Sequence, residues 1–335
     1  MAEAQKIKFK NTDCILLRAN GYEAVVCPSL GNQVLRLRSE NPDCEIFRYR
    51  EDVTIETIKE APAIWGLPTM YLPNRFDGGV IKTSDSIYKM PVNEPDYNNY
   101  LHGFVFKRPY EVEYMTADEK KAVVCASFTY NKDDEMYKYF DVNFKITIAF
   151  TLSDDGLYQE IKLKNLSNKA LPVSIATHTC INAPLVSGGN EKDMLLTVPI
   201  GKKCELNDRF LPTERLIPLT EWDLEYKYGK KRPTGQVIEN DMYTAEKAEL
   251  FGKPFNGTIV KDTNKKVLLL NEVSEEFKFY NMWNDLGEKG YFCPEPMTAM
   301  INSPNLTLNR EISGYKELKG GEEFSCHQSF KIVKE

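Results

Sequence analysis

Residues 144–150 read Phe-Lys-Ile-Thr-Ile-Ala-Phe, large apolar side chains alternating with small or polar ones. A repeat of two puts every second side chain on one face of an extended chain, whereas a helix would scatter them around its axis. The segment therefore predicts a strand with one face on a core. It runs into Ser153-Asp154-Asp155-Gly156, where the Asp155-Gly156 pair offers the positive-φ residues of a tight hairpin turn, and alternation resumes over Leu157–Leu163. Similar runs recur at Tyr22–Cys27, Gln33–Arg38, Tyr110–Met115, Ala122–Tyr130, Val173–Thr177, Met194–Pro199, Val267–Leu270, Phe277–Met282 and Glu323–Val333. Their number and spacing predict an all-β protein, a large antiparallel β-sandwich. Helical periodicity is confined to Val53–Lys59 and Ala245–Phe251, short enough to be insertions in loops, and no strand–helix–strand alternation suggests a parallel sheet.

The chain has 335 residues without a fixed-period repeat, a low-complexity tract or a linker, so one domain over residues 1–335 is expected. Acidic and basic residues are interspersed and the formal charge is −6, which leaves no basic field for a phosphate backbone; nucleic acid is not an expected partner. The densest basic cluster, Lys230-Lys231-Arg232, sits beside Pro233 and Gly235 and reads as a solvated loop. Met1–Lys10 lacks the apolar run of ~7–15 residues of a secretory signal, and no stretch approaches the ~18 apolar residues of a membrane span, so a cytoplasmic protein with no membrane partner is expected. Eight cysteines are scattered without a Cys-x-x-Cys pair, which predicts buried reduced thiols and neither a disulfide framework nor a metal site.

The three histidines differ in context. His327 alternates with its neighbours in the last predicted strand and reads as a half-exposed strand residue. His178 falls where a strand ends and a loop begins, in Ser174-Ile175-Ala176-Thr177-His178-Thr179-Cys180-Ile181-Asn182. His102 closes a turn-rich loop, Pro91 to Leu101, and precedes Gly103, which lets backbone approach a ligand closely. Among the carboxylates, Glu295 is bracketed by Pro294 and Pro296 in an apolar setting unusual for a surface glutamate. Arg75 lies in the aromatic, glycine-flanked segment Tyr71–Gly79, and its guanidinium suits bidentate hydrogen bonding to hydroxyls or an anion.

Taken in order, these segments resemble the aldose 1-epimerase (galactose mutarotase-like) family from about Asn74 to Leu306. The carrying elements are Asn74-Arg75 with Gly78-Gly79, Leu101-His102-Gly103, Asp155-Gly156-Leu157 with Asn165-Leu166-Ser167, Thr177-His178 followed by Asn182, Leu211-Pro212-Thr213, Asp241 ahead of Tyr243, and Cys293-Pro294-Glu295-Pro296. Each is short; their agreement in order across the chain is the signal. The resemblance implies a galactose mutarotase-like supersandwich with few short helices and a sugar cleft on one concave sheet. It implies no cofactor and no metal, a free hexose as substrate, Glu295 as general base and His178 as general acid. Asn74, Arg75, His102 and Asp241 would then bind the substrate, in a monomer or homodimer. The sequence departs from the family pattern at Thr179-Cys180-Ile181 after the histidine, at Phe104 and at Pro294, which bears on substrate preference more than on chemistry. Two related readings stand beside it: a hexose-6-phosphate 1-epimerase, which needs cations such as Lys202-Lys203 or Lys230–Arg232 at the cleft, and a carbohydrate-binding module without catalysis. A glycoside hydrolase would need a second carboxylate ~5–9.5 Å from Glu295, and no residue nominates itself.

Overall fold

The alternating segments form two large antiparallel sheets in the computed structural model, which describes all 335 residues. The first runs in the order Glu111–Ala117, Ala122–Tyr130, Phe144–Ser153, Gly156–Asn165, Glu323–Lys334, Val267–Val273, Gly257–Asp262 and Met194–Thr197. The second runs Pro212–Ile217, Ile200–Leu206, Asp241–Ala245, Phe279–Trp283, Tyr291–Met297, Ile175–Thr177 and Thr69–Tyr71, with Ile181–Asn182 also pairing to Tyr291–Met297. A five-stranded meander, Glu3 to Glu45, packs against the Glu111–Ser153 end of the first sheet.

The alternation over residues 144–150 is realised literally. Phe144, Ile146, Ile148, Phe150 and Leu152 are all fully buried, with half-buried residues between them. At roughly 1.5–3 kcal/mol per large apolar side chain, that one strand contributes about 7–15 kcal/mol as an upper bound. One apolar cluster draws on the meander and both sheets, from Ile15 to Ile332, with Tyr71 of the second sheet edge-on to Phe144 of the first at 5.0 Å.

A buried polar seam crosses the same interface. Gln328 Nε2 donates to Gln159 Oε1 at 2.7 Å and to Thr177 Oγ1 at 3.1 Å, and Gln159 Nε2 donates to Thr69 Oγ1 at 3.0 Å. Buried polar groups in low dielectric are stable only when paired, so the seam fixes the register of Thr69–Tyr71 and Ile175–Thr177 over the first sheet. His178 follows directly from that anchored strand.

Several expectations require correction. The helix foreseen over Val53–Lys59 forms as Ile55–Glu60, started by Thr54, whose hydroxyl accepts the Thr57 amide at 3.1 Å. The helix foreseen over Ala245–Phe251 does not form. Ala248–Leu250 pairs with Lys253–Phe255, because Phe251 and Gly252 both adopt positive φ (52° and 73°) and turn the chain back in two residues. Glu221–Lys227 is helical instead, with a reciprocal cap between Thr220 and Asp223. In the Ser153–Gly156 turn only Gly156, at φ 83°, is left-handed; Asp155 is not. Lys231 is not solvated: its side chain is fully buried, with Nζ 3.1 Å from the centre of the Trp222 ring and 3.0 Å from Glu225. All eight cysteines are buried free thiols, as the sequence suggested. No helix is long and apolar enough to cross a membrane.

Candidate active site

Glu295 sits within the Tyr291–Met297 strand, directly across the ladder from Asn281. A proline on each side is unusual inside a sheet, since each removes an amide donor. Here the strand changes partners on one flank, from Ile181–Asn182 at Tyr291–Phe292 to Ile175–Thr177 at Met297. Thr298 donates its amide to Ile175 on that flank, so by two-residue alternation the nitrogens of Pro296 and Pro294 face the gap between the two pairings. The gap is where His178 enters. Its amide donates to Pro68 O at 3.0 Å and the Cys180 amide to Gly66 O at 3.2 Å, which bends the chain off the sheet between the two short strands.

The result is a close pair, His178 Nε2 lying 3.3 Å from Glu295 Oε1, with side chains only 5% and 4% exposed. Burial raises the Glu295 carboxyl, and although the His178 charge and an Asn281 hydrogen bond pull it down, it is pushed up to about 7. Burial alone would lower His178, but the Glu295 carboxylate and the Cys180 sulfur outweigh it and push the imidazole up to about 9. Between those values the pair is a carboxylate facing an imidazolium, a base beside an acid.

His102 arrives by a different route. The Asn99–Leu101 strand pairs with Arg75–Asp77, placing Leu101 opposite Arg75, and Asn74 (φ 56°) and His102 (φ 64°) turn out of that ladder together. The Asn74 amide donates to His102 Nδ1 at 3.3 Å, and burial, then the nearby charge of His178, holds His102 well below its ordinary value. A neutral imidazole accepting at Nδ1 carries its proton on Nε2, so His102 is a fixed donor. Its ring meets that of His178 edge-on at 5.3 Å.

Arg75 is clamped by Glu94, with Nε 2.9 Å from Oε2 and Nη2 2.8 Å from Oε1, while its Nη1 reaches Asn240 Oδ1 at 3.2 Å and, more weakly, Asn74 Oδ1 at 3.4 Å. The guanidinium lies 4.6 Å over the Phe210 ring. The structure thus gathers Asn74, Arg75, His102, His178 and Glu295. It does not bring in Asp241. That residue pairs with Met282, one step out of phase with the Met242–Asn281–Glu295 row, so it faces the opposite side of the sheet. There it accepts from Lys203 Nζ at 2.7 Å, beside Asp223. The neighbouring Asn240 reaches the cluster instead, accepting from Arg75 Nη1.

Sequence reasoning also missed Glu94, Asn281 and Trp283. Glu94 belongs to the loop already singled out ahead of His102. Asn281 and Trp283 share the Glu295 face by alternation, Trp283 meeting the His178 ring edge-on at 5.7 Å, but no single sequence states which strand lies beside which. Asn281 Oδ1 is buried with no protein partner and is an available acceptor. A groove of about 850 Å³ lies elsewhere, between Tyr158, His327 and the Ala248–Phe255 hairpin. His327 there is exposed on the outer strand face, more open than the half-exposed setting expected, and its ring meets that of Tyr158 at 5.4 Å.

The pattern of the family described as aldose 1-epimerase matches residues 13–331. The chain is similar to a galactose mutarotase-like protein from Clostridium acetobutylicum, with 33% identity, coverage of 100% of this chain and 99% of that one, and a TM-score of 0.97. It shares its fold with galactose 1-epimerase from Lactobacillus acidophilus (14% identity, 100% and 99% coverage, TM-score 0.76) and with an aldose epimerase homologue from C. elegans (14% identity, 100% and 99% coverage, TM-score 0.72).

Proposed function

The chain belongs to the aldose 1-epimerase family, and on that premise we propose that it interconverts the α and β anomers of a free hexose, with Glu295 as base and His178 as acid. The single observation that carries this reading is the buried 3.3 Å carboxylate–imidazole pair. Anomer exchange requires a proton to leave the C1 hydroxyl while another reaches the ring oxygen, so that the C1–O5 bond opens to the aldehyde. Glu295 takes the first and His178 Nε2 gives the second. After rotation about C1–C2 the other carbonyl face is presented, the two groups work in reverse, and the β anomer closes. The reaction is redox-neutral and consumes nothing, so it calls for no cofactor. The His102 donor, the Asn281 acceptor and the Arg75–Glu94–Asn240 cluster orient the hydroxyls, and Trp283 offers an apolar edge to the ring.

Among the substrate readings, the charges favour an unphosphorylated sugar. Arg75 is paired with Glu94, Arg209 with Asp77, Lys203 with Asp223 and Asp241, and Lys231 with Glu225. A phosphate drawing on any of these four cations would have to break its pair, and at Arg75 it would also meet the Glu94 carboxylate. Polarimetry on freshly dissolved α-glucose, α-galactose and glucose 6-phosphate tests this. The expected result is faster equilibration than buffer alone for at least one free hexose, at least about tenfold greater than for the phosphate, a gap of ~1.4 kcal/mol. A preference for the phosphate would overturn the substrate class, and no acceleration of any aldose would overturn the activity.

The pH profile follows from the same pair. The productive state has Glu295 ionised and His178 protonated, so kcat/KM should fall about tenfold per pH unit below about 7, as the raised carboxyl takes up its proton, and again above about 9, as the imidazole loses its own. Initial rates corrected for the buffer reaction give the curve. A plateau reaching down to pH 5 would be incompatible with Glu295 as the base.

A further inference from the structure

Behind His178, on the side away from Glu295, two thiols converge. Cys180 Sγ lies 3.6 Å from His178 Nδ1 and 3.4 Å from Cys293 Sγ, and one ligand atom from each of the three residues lies within 4.8 Å of the others. The arrangement is built by the ladder. Ile181 pairs with Phe292, so Cys180 and Cys293 are opposite one another one step further along the same register. The two-residue period that puts Cys293 on the face of Glu295 also puts Cys180 on the side of His178. All three side chains are buried.

We propose that His178, Cys180 and Cys293 form a three-ligand site for a thiophilic divalent cation of the Zn²⁺ class, and that its occupation stops the enzyme. A tetrahedral zinc with bonds of about 2.3 Å to sulfur and about 2.0 Å to nitrogen holds its sulfurs about 3.8 Å apart and sulfur and nitrogen about 3.5 Å apart. The observed 3.4 and 3.6 Å fall within a few tenths of an ångström of both. One imidazole with two thiolates neutralises the ion and leaves a fourth position for water.

The consequence for catalysis rests on the reading that His178 is the acid. An imidazolium can give up its Nε2 proton because Nδ1 keeps one. A metal at Nδ1 replaces that second proton, and loss of the Nε2 proton would then leave an imidazolate, far too basic to be released at neutral pH. The ion therefore removes the acid without touching Glu295, reversibly, and with no change in fold.

The test separates binding from activity. Reduced protein, kept so with a phosphine, is titrated with Co²⁺, which reports thiolate ligation by its sulfur-to-metal charge-transfer absorption, and Zn²⁺ is then added to displace it. We expect saturation at one equivalent, loss of the band in Cys293→Ser and in Cys180→Ser, and its disappearance as zinc enters. In parallel, Zn²⁺ should suppress anomer exchange of the parent along the same saturation curve, a chelator should restore it, and Cys293→Ser should stay active at a zinc level that silences the parent. Absence of the band at stoichiometric Co²⁺, or its persistence in both serine variants, would overturn the site. A band without inhibition would overturn the switch, and a band on a protein that accelerates no aldose would leave the site standing while the proposed activity fell.

Discussion

Replacing His178 by asparagine is expected to slow anomer exchange by about two to four orders of magnitude while the protein still folds. Asparagine keeps a polar group in reach of Glu295 but has no proton to release near neutral pH, so ring opening would have to draw its proton from water. The obvious objection is that a stranded buried charge costs about 3–5 kcal/mol. Glu295 escapes that cost by taking a proton, a step its burial already favours, since its carboxyl stands at about 7 even with the imidazolium beside it. The variant should therefore melt cooperatively with parent-like circular dichroism, and its residual activity should no longer fall above pH 9. A variant that retains activity within a few-fold of the parent would remove His178 from the mechanism.

Gly103→Ala should cost about 2–5 kcal/mol of stability, a large effect for a single methyl group. Gly103 adopts φ 66°, and a Cβ there would lie 2.6 Å from the carbonyl carbon of Tyr71 and closer still to its oxygen. The contact is backbone on backbone, so no rotamer change relieves it, and the two chains that must separate are those carrying Tyr71 and His102. Gly188 is the control. Its φ is also 66°, but nothing lies within 4 Å of a Cβ there, so Gly188→Ala should cost only the ~1–2 kcal/mol of a left-handed alanine. Urea unfolding of the two variants measures the difference. Equal losses would mean that conformation, not close approach, keeps Gly103 a glycine.

How much of this was readable beforehand depends on the length scale of the signal. Alternation is local, and strands such as Ala122–Tyr130 and Tyr22–Cys27 were delimited to the residue from sequence. Turn chemistry is local too, and at Phe251-Gly252 a two-residue reversal overrides the short helical pattern before it. The cap between Thr220 and Asp223 is an equally local signal for the Glu221–Lys227 helix. The chemical residues Glu295, His178, His102 and Arg75 stood out by context and by family resemblance. Register could not be seen. Whether Asn240 or Asp241 faces the site turns on a one-residue phase between strands 40 residues apart, Asp241–Ala245 and Phe279–Trp283, and a slip of one moves every side chain to the other face. The same phase conceals Asn281 and Trp283. Lys231 eluded composition because a lysine beside a tryptophan and a glutamate can bury its stem and ammonium together, which a run of three basic residues does not advertise.

The account depends on proton exchange between one buried carboxylate and the sugar's anomeric hydroxyl. The most direct measurement is the optical rotation of a freshly dissolved α-hexose accepted by the parent, followed with the Glu295→Gln protein, an uncharged replacement of the same shape. The account predicts relaxation close to the buffer's spontaneous rate from a protein that unfolds like the parent. Relaxation at the parent's rate would contradict it.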